Sequence, residues 1–362
     1  MLTRPAVTEP STVAGRAPAC GRGAPQWIHN GWLDAAVALA WIPFVVAVHL
    51  AESDPRLLRA LISATFLLSF AHQPLTLALV YGDAEQFRLR RALFTLSPVV
   101  FAVAIAVATQ FDPLILAVVA GAWNAEHTLM QRYGITRIYG RKVGQSDGRV
   151  EKAMLFSWLA LAVVVVMADG RTPGRLTRMQ LGETNRLAVE TLSRYRSVLA
   201  VLVVPIAVVA VALMVTWVRA EWRAGSRANP AKWVYVATTA SLFAVILVDP
   251  IAGLMGYVGA HAIEYFVIVH QSLGRRYGDA GTGRASPLGR AVRARPGRVG
   301  FLAVYLGVVL AIVTLLQWYG SVTAYLVVFF TLGGLHVFYD GFIWKLRRPA
   351  VAHSLALPTN AA

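Results

Sequence analysis

The chain is poor in cysteine and in charge. Its 362 residues include one cysteine, Cys20, which excludes an intrachain disulfide and any multi-cysteine metal site, iron–sulfur clusters among them. Charged residues make up 14% of the sequence, whereas a soluble domain carries about 25%. The first ~26 residues are rich in Pro, Ala, Gly, Thr and Arg and lack the apolar core of a signal peptide. They are expected to form a flexible tail (1–26), as is the segment 349–362.

Apolar residues fill the gap. They account for 57% of the chain, and mean hydropathy is +0.57. Runs of about 20 apolar residues, the length a helix needs to cross about 30 Å of hydrocarbon, recur from Gly31 to Trp344. The expected fold is all-α: a polytopic integral membrane bundle over residues 27–348 with about ten transmembrane helices. The spans fall near 31–51, 57–81, 92–110, 113–133, 151–169, 197–218, 231–248, 250–271, 299–318 and 321–344. Asp54-Pro55, Asp112-Pro113 and Asp249-Pro250 each close one run and open the next, since Pro suits the first turn of a helix.

Lys and Arg orient the spans. With a cytoplasmic N-terminus, 26 of the 34 Lys and Arg fall on the cytoplasmic side, as the positive-inside rule requires. That arrangement places both termini in the cytoplasm and the protein in the plasma membrane. It also explains the formal charge of +16 by basic loops facing an anionic leaflet. Nucleic acid is not an expected partner, because the charge is spread over inter-helix loops. The basic loop from Arg275 to Arg298 reads as mobile, and "NRLAVETLSRY" (185–195) reads as a short surface helix.

Polar, proton-active side chains interrupt the even-numbered spans. Span 2 contains "FAHQPLT", with His72, Gln73 and Thr76. Span 4 contains "WNAEHTLMQRYG", span 8 "GAHAIEYFVIVHQ", and span 10 "GGLHVFYDG". His72, His127, Glu264 and His336 each lie six to nine residues before the expected cytoplasmic end of their helix, or roughly 9–14 Å deep at 1.5 Å per residue. "DPLILAVVAGAWNAEH" also aligns without a gap on "DPIAGLMGYVGAHAIE", which suggests a repeated hairpin. A carboxylate at mid-bilayer costs on the order of 3 kcal/mol and has to find a partner. Polar groups at one level on four helices are therefore expected to satisfy one another, a cofactor or water.

The candidate metal ligands are His72, His127, His261, Glu264, His336 and Asp340, with Asn124 and Gln131 as supporting hydrogen-bonders on the face of His127. Imidazole and carboxylate donors suit iron or another divalent metal, and His261-x-x-Glu264 and His336-x-x-x-Asp340 each keep two donors on one helix face. For any one of these histidines, an interhelical packing hydrogen bond is the competing explanation. His29 and His353 lie outside the spans, and His49 and His270 are read as interfacial. Glu126 lies about 100° around the helix from His127, off the site's face, and Arg132 and Tyr133 mark the surface end of span 4.

Single histidines on successive helices resemble the bacterial membrane-embedded carotene-cleaving dioxygenases. The resemblance covers His72, His127, His261 and His336 over most of the membrane portion and includes no matched local motif. It implies iron held by histidines within the bilayer; carotene cleavage itself is not assigned. His-x-x-His-His clusters, typical of membrane desaturases and hydroxylases, are absent. The expected function is a non-haem iron-type oxidoreductase acting on a lipid-soluble small molecule, with a possible redox partner. The alternatives are a haem-binding electron-transfer protein and a proton-coupled transporter.

Overall fold

The computed structural model describes residues 26–111, 113–178, 187, 190–191, 194–278, 283 and 285–357. Residues 1–25 and 358–362 lie outside that set, as does most of the surface helix expected over 185–195. The described residues form α-helices and no strand. In chain order these are α1 (Gly31–Ala38), α2 (Ile42–Ala51), α3 (Pro55–His72), α4 (Leu75–Tyr81), α5 (Ala84–Arg88), α6 (Arg91–Phe111), α7 (Pro113–Lys142), α8 (Arg149–Ala168) and α9 (Thr172–Arg178). They are followed by α10 (Arg196–Ala224), α11 (Pro230–Val248), α12 (Pro250–Tyr277), α13 (Pro287–Arg293), α14 (Gly297–Tyr319), α15 (Val322–Ile343) and α16 (Pro349–Ser354).

Eight of the described helical segments are long and apolar enough to cross a membrane, with α3 and α4 counted together as one. A ninth results if α1 and α2, which meet at a 40° bend, form one broken span. Helix α7 corresponds to the fourth expected span but falls short of this apolarity, because its middle turns carry Asn124, Glu126, His127, Gln131 and Arg132. The helix starts follow from local chemistry. Asp54 accepts hydrogen bonds from the amides of Arg56 (2.8 Å) and Leu57 (3.2 Å), and Asp249 accepts from those of Ile251 and Ala252 (both 3.1 Å). In both cases Pro occupies the next position, where no N–H is needed.

Helix α12 is the axis of the bundle. Two-thirds (67%) of its most apolar stretch is buried, against 6% for α10. It packs on α2, α3 and α11, and also meets α1, α7, α13, α14 and α16. Small residues allow these approaches: a Cβ on Gly259 would lie 2.5 Å from the Phe44 ring, and one on Gly256 would lie 3.2 Å from Leu242 and Val45. Van der Waals contact through small residues is how helices associate in an apolar medium. Helix α10 lies at the periphery against α8 and leaves Val201, Val204 and Val208 exposed, as a lipid-facing helix would.

Two segments are more ordered than their composition suggests. Within the basic loop, α13 buries Leu288 and Val292 against Leu273 and Tyr277, and the Leu288 amide donates to the Gly82 carbonyl at 2.8 Å. Beside it, Asp83 accepts from the Tyr277 hydroxyl (2.7 Å) and from Arg276 Nε (2.9 Å). Burial pushes the Asp83 carboxyl up, but those donors outweigh it and hold the carboxyl below its ordinary range. Residues 349–357, read from sequence as part of a tail, also dock. Val351, Leu355 and Leu357 are buried with Ile28, Ile138 and Tyr235, and Lys142 Nζ donates to the Ala356 carbonyl at 3.2 Å.

Gly259→Leu should lower stability by about 1–3 kcal/mol through overpacking against Phe44. Thermal unfolding in detergent would show this as a lower midpoint, whereas Gly121→Ala, where the added Cβ meets nothing within 4 Å, should keep or slightly raise the midpoint, since alanine is the better helix former.

Candidate metal centre

A proline positions the first ligand. Pro74 has no N–H to give to the Phe70 carbonyl, so α3 ends at His72 and the chain restarts as α4. The Gln73 amide takes the Phe70 carbonyl at 3.0 Å, and the Tyr305 hydroxyl of α14 donates to the Ala71 carbonyl at 2.6 Å. Both of these carbonyls thereby find donors within the protein. His72 sits on its near side and Thr76 on its far side, one turn apart.

Four helices then bring four imidazoles together: His72 on α3, His127 on α7, His261 on α12 and His336 on α15. All four are buried, and one nitrogen from each falls in a group whose members lie within 4.8 Å of one another. His336 Nε2 is 3.1 Å from His72 Nε2 and 2.9 Å from His127 Nε2. The rings meet edge to face. His72 and His261 have centroids 4.6 Å apart at 90°, and His127 and His336 are also 4.6 Å apart, at 79°. The pairs 72/336 and 76/340, 127/261 and 131/264, and 127/336 and 141/346 show that α3, α7, α12 and α15 run in the same sense.

A layer of oxygens lies next to the rings and engages Nδ1 of His336. Thr76 Oγ1 donates to Asp340 Oδ1 at 2.9 Å and lies 2.7 Å from His336 Nδ1. With the Thr76 proton given to the carboxylate, the 2.7 Å contact is a His336 Nδ1–H donating to Thr76. The Tyr265 hydroxyl, 2.5 Å from Thr76 Oγ1 and 3.2 Å from Asp340 Oδ1, completes the set. His336 Nε2 is then left as a bare lone pair facing the other imidazoles. Fixing the far nitrogen of a histidine in this way is what orients a metal ligand.

The donor set fits a metal ion on two observations. Both ring nitrogens of His261 are buried without a hydrogen-bond partner among the described residues, an arrangement that costs free energy unless something else binds them. The Nε2 separations of 2.9 and 3.1 Å match neighbouring corners of a coordination sphere with metal–nitrogen bonds of about 2.0–2.1 Å. Packing hydrogen bonds alone fit less well, because one lone pair on His336 Nε2 would have to serve two neighbours while His261 received nothing.

The two carboxylates of the expected set stand differently. Asp340 borders the group, with Oδ2 3.9 Å from His127 Nε2 and Oδ1 3.9 Å from His336 Nδ1. Glu264 lies one turn away and faces Arg132, whose Nη2 is 3.0 Å from Glu264 Oε1 with both side chains fully buried. Gln131 donates to Glu264 Oε2 (3.1 Å) and to the His261 carbonyl (3.0 Å), which ties α7 to α12 beside the centre. Asn124 is half-buried on α7, one turn before His127. Arg132, read from sequence as the surface end of its helix, is instead a buried ion-pair partner, and α7 continues to Lys142.

Toward the same end of the bundle lies a second ionic cluster. Lys232 on α11 contacts Glu151 of α8, Glu221 of α10 (2.5 Å) and Gln145 (2.7 Å), and Arg137 pairs with Glu151 at 3.0 Å. Sequence reasoning passed over Tyr265, Arg132 and this cluster. Only Thr76, four residues after His72, carried a positional signal. At the opposite end of α12, His49 Nδ1 lies 3.3 Å from Glu52 and 3.7 Å from Asp249; these three side chains are solvent-accessible, unlike the buried histidine group.

Fold and site together define a multi-pass, all-α membrane-type bundle with a buried four-histidine group able to hold a metal ion. No protein family, curated protein or solved structure matches the chain.

Arg132→Met should destabilise the protein by about 3–5 kcal/mol, because it strands the buried Glu264 carboxylate. Arg132→Met/Glu264→Met should recover most of that loss. Unfolding midpoints of the two variants in the same detergent check the order.

Proposed function

We propose that this protein is a plasma-membrane oxidoreductase with a non-haem iron-type centre, acting on a lipid-soluble substrate. The observation that carries this reading is His261, buried among three other imidazoles with neither ring nitrogen engaged. His72, His127, His261 and His336 would hold the metal, and Asp340 lies close enough to join them or to orient His127. Imidazoles suit iron, zinc, copper and nickel alike; among these, iron would supply redox chemistry toward dioxygen, which dissolves in the bilayer. The resemblance of the histidine pattern to membrane carotene-cleaving dioxygenases supports the same choice.

The chain's own residues have definable tasks. Thr76 and Tyr265 hold the proton of His336 on Nδ1 and keep Nε2 available. The close packing of α12 on α2 and α11 seals the centre on one flank. The ion pair between Arg132 and Glu264, one turn away, fixes α7 against α12 at the required spacing. Haem is less well served, because imidazoles in edge-to-face contact leave no plane between them for a porphyrin. Transport is also less well served, because α7, α12 and α15 pass through the histidine layer unbroken.

Purified protein should contain stoichiometric metal by elemental mass spectrometry and show no Soret band. His127→Ala and His336→Ala should each lose that metal while still inserting in the membrane; full metal in both variants would sink the assignment. Thr76→Val should retain the fold but bind metal about 10–100-fold more weakly, as expected when the orienting partner of a ligating histidine is lost.

The orientation belongs to the same proposal: the end of the bundle that carries Arg137, Lys232 and Lys345 faces the cytoplasm, with both termini there. Cys20 is the chain's only thiol and reports on this directly. A membrane-impermeant maleimide should label it in permeabilised cells and not in intact ones; equal labelling in both would reverse the topology.

A further inference from the structure

A cavity of about 400 Å³ runs between α7, α12 and α15 and reaches the histidine group. Its walls are largely apolar, formed by Met130, Ile138, Ile268, Val337, Trp344 and Leu355. Along α7 it extends from Trp123 to Ile138, about 22 Å at 1.5 Å per residue. The cavity is therefore long and narrow, and its volume lies at the lower end of the range for ligand pockets.

Two glycines keep it open. Gly134 on α7 and Gly341 on α15 both line the cavity, and a Cβ on either would meet nothing within 4 Å. Glycine inside a helix costs about 1 kcal/mol relative to alanine. At Gly256 or Gly259 that cost allows a neighbouring helix to approach, but at Gly134 and Gly341 no neighbour occupies the space.

Charge divides the cavity lengthwise. Glu126, His127 and Asp340 line the inner part, while Arg137 and Lys345 line the part toward the end of the bundle proposed as cytoplasmic. Arg137 is already neutralised by Glu151. Lys345 is exposed, sits 5.5 Å over the Phe342 ring, and has no carboxylate in salt-bridge range among the described residues. An anionic group would be repelled by the inner carboxylates and attracted at the mouth.

We infer that this cavity binds a single-chain amphiphile with a carboxylate head, its apolar chain passing Gly134 and Gly341 toward the histidines and its head at Lys345. This names a substrate class and rests on the reading of the centre as acting on a lipid-soluble molecule. The narrow volume accommodates one chain, not the two of a phospholipid. The acid reaches the cavity from the cytoplasmic leaflet.

Tritiated palmitate binding to the purified full chain, read by scintillation proximity, tests the inference. Wild-type protein should bind palmitate saturably, and hexadecanol should compete about tenfold less well. Gly134→Leu/Gly341→Leu should abolish binding, and Lys345→Glu should weaken it about tenfold. Unchanged palmitate affinity in either variant overturns the proposal. Equal competition by hexadecanol overturns the carboxylate head, and equal competition by phosphatidylglycerol in nanodiscs overturns the single chain. The metal content of the glycine variant separates the two readings. Lost palmitate binding with metal retained assigns the cavity independently of the centre; wild-type protein that binds palmitate but never contains metal would remove the oxidoreductase reading and leave the cavity standing.

Discussion

A buried polar group inside an apolar bundle needs a partner in the protein or a ligand, because no water is at hand to replace one. That constraint organises the interior of this chain in layers. His72, His127, His261 and His336 face one another; Thr76, Tyr265 and Asp340 flank them; Arg132 and Glu264 close the next turn, and Lys232, Arg137, Glu151 and Glu221 the one after. Among the four imidazoles, His261 alone has both ring nitrogens buried without a hydrogen-bond partner among the described residues, and His72 Nδ1 has none either. Three of the unpartnered nitrogens therefore belong to the histidine group, two of them on His261, where a metal could take up a free lone pair.

Helix α12 makes the layering possible. It contributes His261, Glu264 and Tyr265 to successive levels, and its glycines bring α2 and α11 close enough to exclude solvent. The break at Pro74 serves the same end from the other side: it costs α3 a backbone hydrogen bond but turns His72 and Thr76 toward α15. Close packing by glycine on one flank and open space left by Gly134 and Gly341 on the other give the centre a sealed side and an accessible one.

Much of the membrane architecture can be read along the chain, because apolar run length and Asp-Pro boundaries are local properties. Each of the ten expected spans has a helix, though the first is bent and the fourth is less apolar than the rest. Counting Lys and Arg by loop was less informative about position. Arg132, Arg137 and Lys232 were assigned to the basic side, yet all three are buried in ion pairs with Glu264, Glu151 and Glu221. Hydropathy and charge sums carry no information about which side chains on different helices pair, whether 11 residues apart, as in Lys232 and Glu221, or on distant segments, as in Arg132 and Glu264. The packing of the segments 285–298 and 349–357 carried no signal for a related reason: Leu288, Val292, Val351 and Leu355 are too few to form a periodic pattern, yet each is buried in an apolar cluster with distant residues.

The sequence by itself determined an all-α membrane bundle and the depth at which histidines occur on four spans, since helix rise converts residue number directly into depth. Which of those side chains meet depends on the rotation and neighbours of each helix, and these are set by packing among distant segments. Tertiary structure therefore decided that the four histidines converge, that Asp340 stands beside them and that Glu264 turns to Arg132. It also decided that Gly134 and Gly341 face a common space, because an empty volume is a property of the surrounding helices and not of any residue in the list.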